Sequence, residues 1–143
     1  GAEAPGFELL QAGRYLAGAA CVLGHIFPVY YGFRGGKGIV AAAAMILLVD
    51  WRVFLLVIGT FLLLFIWKRI ISLASVVCAG VYPVYTFLMV FFADFGGGRC
   101  TLGYLLFVTG AALFIGVLVL WKHRANIGRL ARGEEKPIIG KGK

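Results

Sequence analysis

The run from Phe33 to Gly38, Phe-Arg-Gly-Gly-Lys-Gly, separates two apolar stretches, and its residue types suit an anion. Glycines at 35, 36 and 38 leave backbone N–H groups unobstructed and permit the positive φ values of an amide nest. Lys37 adds a point charge suited to phosphate. A helix opening just after the loop would aim its positive dipole end at the same ligand. The spacing is not the GxxxxGK[ST] of a nucleotide loop. The alternative for these residues is a plain cationic turn on the inner side of a membrane.

Two further polar clusters carry possible chemistry. In "KRIISLAS", residues 68–75, Ser72 and Ser75 are three apart and share a helix face, where their hydroxyls could donate to phosphate oxygens. Helix capping or interhelical hydrogen bonding is the structural alternative. In "WKHRANIGRLARGEE", residues 121–135, His123 and Asn126 project together while Arg124 faces elsewhere. A His-Asn pair beside cations suits a phosphoryl or acyl centre; a basic helix on anionic lipid heads is the alternative, with Arg129, Arg132 and Lys136 on the lipid. Glu135 is placed to cap or to pair with one of these cations. His25 lies within the first apolar segment, where an ionisable group is costly and so suggests function, or else a neutral ring bonded to a backbone carbonyl. No GxSxG elbow accompanies these groups, no cysteine lies near either histidine on the cytoplasmic face, and Cys21, Cys78 and Cys100 fit no metal motif. An enzyme built from them would need an electrophile already activated on arrival.

The elements that must position these clusters are membrane helices. The chain has 143 residues, is 62% hydrophobic and has a mean hydropathy of +0.95, more apolar surface than a core of this size can hide from water. Five apolar segments predict an all-α, polytopic bundle forming a single domain: Tyr15–Tyr31, Gly38–Val49, Val53–Trp67, Ile70–Ala93 with an interruption at Pro83, and Thr101–Trp121. The second is short for a span. Small residues, Ala112 with Gly116 and the run from Ala41 to Ala44, predict close helix packing. Cations mark alternate breaks, so eleven of the fourteen Lys and Arg fall on one side and only Arg14, Arg52 and Arg99 on the other. The positive side is the cytoplasmic one. This pattern explains the net charge of +8 without nucleic acid, since no aromatic-basic reading surface is visible. The first residues, "GAEAPGFELLQAGRY", read as polar, with no secretory signal peptide.

In combination, "GHIFPVYYGFRGGKG", "KRIISLAS" and "HRANIGRLARGEE" resemble the second motif, the serine-bearing helix start and the third motif of the bacterial acyl-phosphate:glycerol-3-phosphate acyltransferases, the PlsY family. The resemblance implies transfer of a fatty acyl group from acyl-phosphate to the 1-hydroxyl of glycerol 3-phosphate, giving lysophosphatidic acid and phosphate in the first step of phospholipid synthesis. It implies no cofactor and no obligate protein partner, and a multi-pass location in the bacterial inner membrane with the site and C-terminus cytoplasmic. Carried onto this chain, Gly35, Gly36, Lys37 and Gly38 look like the substrate phosphate loop. His123 and Asn126 resemble residues needed for activity, and Glu135 a structural glutamate. His25, Ser72, Ser75 and Arg124 are weaker matches around the phosphates. The family has seven helices, and its first motif, a Ser/Gly/Asn loop, has no counterpart in residues 1–23, so two helices and part of the phosphate site are expected to lie outside this sequence. Arg34 stands where the family commonly has Lys, and Lys136-Pro137 displaces a further family Lys. The competing reading is a non-enzymatic anion-transporting or lipid-binding membrane module; no internal repeat of the transporter kind is visible.

Overall fold

A computed structural model describes residues 4–28 and 36–138. Six α-helices follow one another: α1 (Ala4–Ile26), α2 (Ile39–Val49), α3 (Trp51–Lys68), α4 (Ile71–Met89), α5 (Leu102–Lys122) and α6 (Arg124–Ala131). The described residues contain no strand. The bundle is organised by contacts of α4 with α3 and α5, and of α1 with α2 and α5. Its core joins Val22, Ile26, Val53, Val108, Ala112 and Ile115, all nearly or fully buried.

Among the described residues, three helices are long and apolar enough to cross a membrane: α3, α4 with its extension to Phe95, and α5. Their outward faces are greasy, with Leu63, Ile66, Phe92, Leu106 and Val117 all exposed. In water such surface would be a liability; in lipid it is solvated. Of the other two predicted segments, the second is as short as expected and the first differs from expectation. α2 has 11 residues, about 16 Å at 1.5 Å per residue, short of a hydrocarbon core of about 30 Å. α1 begins at Ala4, eleven residues before the expected start, because Gln11 and Arg14 find polar partners and need not break the helix. Gln11 donates to the Val49 carbonyl, and Arg14 to Gln11. The expected end of that segment, at Tyr31, lies outside the described residues.

Pro83 does not interrupt α4, which runs through it and continues as a π-helical turn, Val90–Phe95. A proline inside a helix leaves the carbonyl four residues earlier, here Ala79, without its usual donor. That carbonyl lies against Gly116 of α5, where an added Cβ would sit 2.7 Å from the Ala79 oxygen and 3.2 Å from Pro83. The expected small-residue packing thus falls on α4 and α5, where Ala112 and Gly116 are buried.

The ends of the bundle separate the charges. At one end, Asp50 caps α3 and Arg52 bridges Asp50 and Asp94, at 2.9 and 2.7 Å. Glu8 accepts from the backbone N–H and hydroxyl of Thr101, which itself caps α5. The other end gathers the end of α1, the start of α2, the junction of α3 with α4, and α6. There the Ile138 amide donates to the Arg69 carbonyl, drawing the segment after α6 across the α3–α4 junction.

Candidate functional site

At the cationic end a polar cavity, about 1020 Å³ including its open mouth, brings together the three sequence clusters. It is lined by His25 from α1, Lys37 and Gly38 before α2, Ser72 and Ser75 from α4, His123 and Asn126, and Glu135. Each reaches it for a local reason.

Gly38 is the N-cap of α2 with φ +78°, a left-handed conformation that glycine adopts without Cβ strain. A Cβ there would also lie 2.9 Å from Ile26. Both facts bring the loop down onto the end of α1, leaving the free first-turn amides of α2 at the cavity. Gly36 is needed for contact: its Cβ would meet His25 Nε2 at 2.9 Å. Gly35 and Arg34 lie outside the described residues. His25 sits one residue from the end of α1, is exposed and lines the cavity; Pro28 just beyond disfavours a further helical turn.

Ser72 and Ser75 open α4. The capping alternative is not realised, since α4 begins at Ile71 with Ile70 as its N-cap and no side-chain cap. Ser72 Oγ is buried with no hydrogen-bond partner in strict geometry, though it lies near enough to Glu135 to help hold that carboxyl low, and Ser75 is 2% exposed. Thr86 and Thr109, which do not line the cavity, have equally unpartnered hydroxyls, so what sets Ser72 apart is its place on the cavity wall.

His123 is the hinge where α5 ends and α6 begins. The break turns α6 so that His123 and Asn126, its third residue, both face inward, at 3% and 6% exposed. His123 Nδ1 lies 2.8 Å from the Val119 carbonyl, which can only accept, so Nδ1 carries the proton and Nε2 the lone pair. Burial, with the charge of Lys37, holds the imidazole below its ordinary pKa and therefore neutral near pH 7. Lys37 Nζ donates to Asn126 Oδ1, and Asn126 Nδ2 donates to Glu135 Oε1 at 2.9 Å. Arg129 Nε donates to the same oxygen at 3.0 Å. Burial raises the Glu135 carboxyl, but these donors outweigh it and hold it below the usual carboxylate range. Glu135 thus takes up the charge of Arg129, while Lys37 is held by a neutral amide and forms no ion pair among the described residues. The positive charge of Lys37 remains available to an anion.

Arg124 does not join this group. Its guanidinium lies 4.6 Å over the Trp121 ring and donates to the Trp121 carbonyl, because position 124 points away from the face that carries His123 and Asn126. Two features had no local sequence signal. Lys136, read as lipid-facing, lines the cavity through the fold-back of the segment after α6. Beside the polar cavity lies an apolar one of about 810 Å³ between α2, α3, α4 and α5; Ile39, Val40 and Ser75 line both. Its small wall residues, Ala42, Ala43 and Ala79, look like ordinary membrane-helix alanines until the helices are placed.

Comparison with known proteins agrees with this arrangement. The sequence profile described as "Glycerol-3-phosphate acyltransferase" matches residues 4–133. A glycerol-3-phosphate acyltransferase of Thioalkalivibrio sulfidiphilus is 40% identical over 124 residues, covering 87% of this chain and 55% of that protein. One from Aquifex aeolicus is 39% identical over 118 residues, covering 82% and 55%. Crystal structures of PlsY, an integral membrane glycerol 3-phosphate acyltransferase, in glycerol 3-phosphate and lysophosphatidic acid forms, align at a TM-score of 0.66 with 37% and 38% identity. They cover 82% and 81% of this chain and 52% and 53% of theirs. The chain spans about half the length of the relatives it matches. With the profile running from α1 to the end of α6, the helices described above and the cavity they enclose are those of a member: this chain belongs to the glycerol-3-phosphate acyltransferase family.

Proposed function

We propose that this chain contributes the phosphate loop, the reacting centre and the acyl groove of an enzyme that moves a fatty acyl group from acyl-phosphate to the 1-hydroxyl of glycerol 3-phosphate. The products are lysophosphatidic acid and inorganic phosphate. The observation that carries the reading is the continuity of an anion-suited cavity, with the unpaired charge of Lys37 at the α2 N-terminus, and an apolar cavity beside it. A phosphorylated head with a hydrocarbon tail fits that pair of spaces and few other ligands do. The PlsY structures in glycerol 3-phosphate and lysophosphatidic acid forms support the same ligand classes here.

In this reading Lys37, Gly36 and Gly38, with the first amides of α2, hold the phosphate of glycerol 3-phosphate; Gly35 belongs to the same loop. Ser72, Ser75 and His25 donate to phosphate oxygens. The glycerol hydroxyl oxygen attacks the acyl carbon, the bond from that carbon to the phosphate oxygen breaks, and phosphate leaves with the bonding pair. His123 Nε2 accepts the hydroxyl proton and returns it to the leaving phosphate. Asn126 orients Lys37, and Glu135 fixes Asn126. An acyl-phosphate is a mixed anhydride with a good leaving group, so no covalent intermediate on the protein is needed; positioning and charge stabilisation supply the rate. The cationic end faces the cytoplasm of a bacterial inner membrane, following the excess of Lys and Arg there.

The anion-transporting alternative gains nothing from the geometry, because beyond the polar cavity the adjoining space is walled by Ile46, Phe54 and Tyr82; a lipid-binding module would use the same two spaces, and only turnover separates it from the enzyme. The test is direct. Full-length protein in vesicles, given acyl-phosphate and glycerol 3-phosphate together, is expected to release lysophosphatidic acid and phosphate in equal amounts. Folded protein that forms no lysophosphatidic acid would refute the assignment, and uptake of labelled phosphate into sealed vesicles would favour the alternative.

A further inference from the structure

The segment that follows α6 is held at both ends and carries Lys136 between them. α6 stops at Arg132, and Gly133 turns left-handed at φ +68°. The Gly133 amide donates to the Leu130 carbonyl at 3.1 Å, and the Glu134 amide to the Arg129 carbonyl at 2.8 Å. That pair of bonds closes a helix end and folds the chain back, at a turn glycine makes without Cβ strain. Glu135 is then caught by Asn126 and Arg129, at 2.9 and 3.0 Å. Three residues on, the Ile138 amide donates at 3.0 Å to the carbonyl of Arg69, the left-handed residue on which α3 ends. Pro137 lies between these two anchors. Its ring fixes its own φ and biases Lys136 toward an extended backbone. The segment is a strap drawn from α6 to the α3–α4 junction, with little backbone freedom left at residue 136.

Securing α6 requires the two anchors and places no demand on the side chain at 136. Yet Lys136 lines the polar cavity. The carboxylates next to it are taken, Glu135 by Arg129 and Glu134 by Arg132, at 3.0 and 2.9 Å. Among the described residues Lys136 forms no ion pair. The cavity is thus lined by two lysines with charge to spare, on different elements: Lys37 before α2, and Lys136 on the strap.

The reaction proposed above brings two phosphorylated compounds into that cavity, each with about two negative charges near pH 7. Lys37 and the amides of α2 face one of them. The phosphate of the donor is left with hydroxyls and His25, although it is the group whose charge grows as the bond from the acyl carbon to its oxygen breaks. A cation there is worth more in the transition state than in the ground state.

We propose that Lys136 is the donor-side cation: it holds the phosphate of the acyl-phosphate and stabilises it as it leaves, while Lys37 holds the acceptor. The inference rests on the acyltransferase reading above. Two lysines on two elements then sort two substrates that present the same phosphoryl group.

Kinetics with each substrate varied in turn separate the two lysines. In full-length protein in vesicles, Lys136→Met is expected to lower kcat/KM for acyl-phosphate by about tenfold or more and to change KM for glycerol 3-phosphate by less than about twofold. Thermal unfolding should not move, because the side chain is exposed. Lys136→Arg keeps the charge and is expected to recover most of the loss. A strap that only secures α6 would give neither the split between substrates nor the rescue. An unchanged kcat/KM for acyl-phosphate in Lys136→Met, an equal loss for both substrates, or an arginine variant as poor as methionine overturns the proposal. Inorganic phosphate gives a readout without turnover. It is expected to slow chemical acetylation of Lys136, followed by mass spectrometry, in the wild type and in Lys37→Met alike; acetylation at the same rate with and without phosphate overturns the proposal. Wild-type protein that forms no lysophosphatidic acid while phosphate still shields Lys136 would sink the acyltransferase reading and leave the anion site standing.

Discussion

At one end of the bundle Arg52 meets two carboxylates, Glu8 takes both donors of Thr101, and Gln11 reaches the Val49 carbonyl. At the other, Lys37 is held by an amide, Ser72 Oγ has no partner, and first-turn amides of α2 face open space. Both ends are polar and both join the same helices, yet one has closed its electrostatic accounts and the other has not. Paired charges next to a membrane tie elements together. Unpaired donors converging on a cavity cost stability unless something binds there.

The sharpest way to break this contrast is Lys37→Ala. At the cationic end the lysine is exposed, so its loss is expected to leave thermal stability nearly unchanged while lowering kcat/KM for glycerol 3-phosphate by about 100-fold or more, in the range of losing one charge-stabilising donor. Steady-state kinetics with glycerol 3-phosphate varied gives the answer; an unchanged dependence on that substrate would remove Lys37 from the phosphate site.

Arg52→Met is the mirror image. It leaves Asp50 without its cation and Asp94 with only the longer Arg99 contact at 3.8 Å; the two carboxylate side chains are 11% and 16% exposed. A loss of about 1–2 kcal/mol in stability is expected, discounted from the fully buried case because Arg52 is itself 29% exposed. Activity per folded molecule should stay within about threefold. Thermal unfolding in detergent beside specific activity separates the two; a large loss of activity with full stability would show that the opposite end is not merely structural.

The smallest effect is a displaced pH limb. His123 is held below the ordinary imidazole pKa of 6.5 by burial and by Lys37, and in the proposed mechanism the neutral ring accepts the proton. The rate should therefore hold steady as pH falls through 6.5 and decline only below it. Removing the Lys37 charge lifts one of the two causes, so in Lys37→Met the acid limb should move up toward 6.5. Profiles normalised to each protein's own plateau would reveal the shift, and coincident limbs would remove Lys37 from the electrostatics of His123.

Much of this was legible in the sequence because membrane chemistry leaves strong one-dimensional signals. Apolar runs punctuated by cations defined α3, α5 and α4 with its extension to Phe95 within two residues at each end, and the alternation of charges placed Lys37, Ser72 and His123 on a common side. The differences came where a residue met a partner far along the chain. Gln11 and Arg14 read as part of a polar start, but Val49, 38 residues from Gln11, accepts from it and α1 takes in both. Pro83 read as a break, but Gly116 lies against the carbonyl that the proline leaves free. Arg124, matched through the motif, lies on Trp121 three residues away, in keeping with its place off the face of His123 and Asn126.

What the residues determined by themselves was the solvent, the helices and the set of groups able to hold a phosphate, because hydropathy, glycine freedom and charge act within a few positions of one another. Only the tertiary structure decided that Lys37 is met by Asn126 rather than by a carboxylate, that Glu135 neutralises Arg129 instead, and that α2 and α3 part to leave an apolar cavity beside the polar one. Those outcomes depend on contacts between residues up to 89 positions apart, where a difference of one helical turn changes which charge is satisfied and which is left for a ligand.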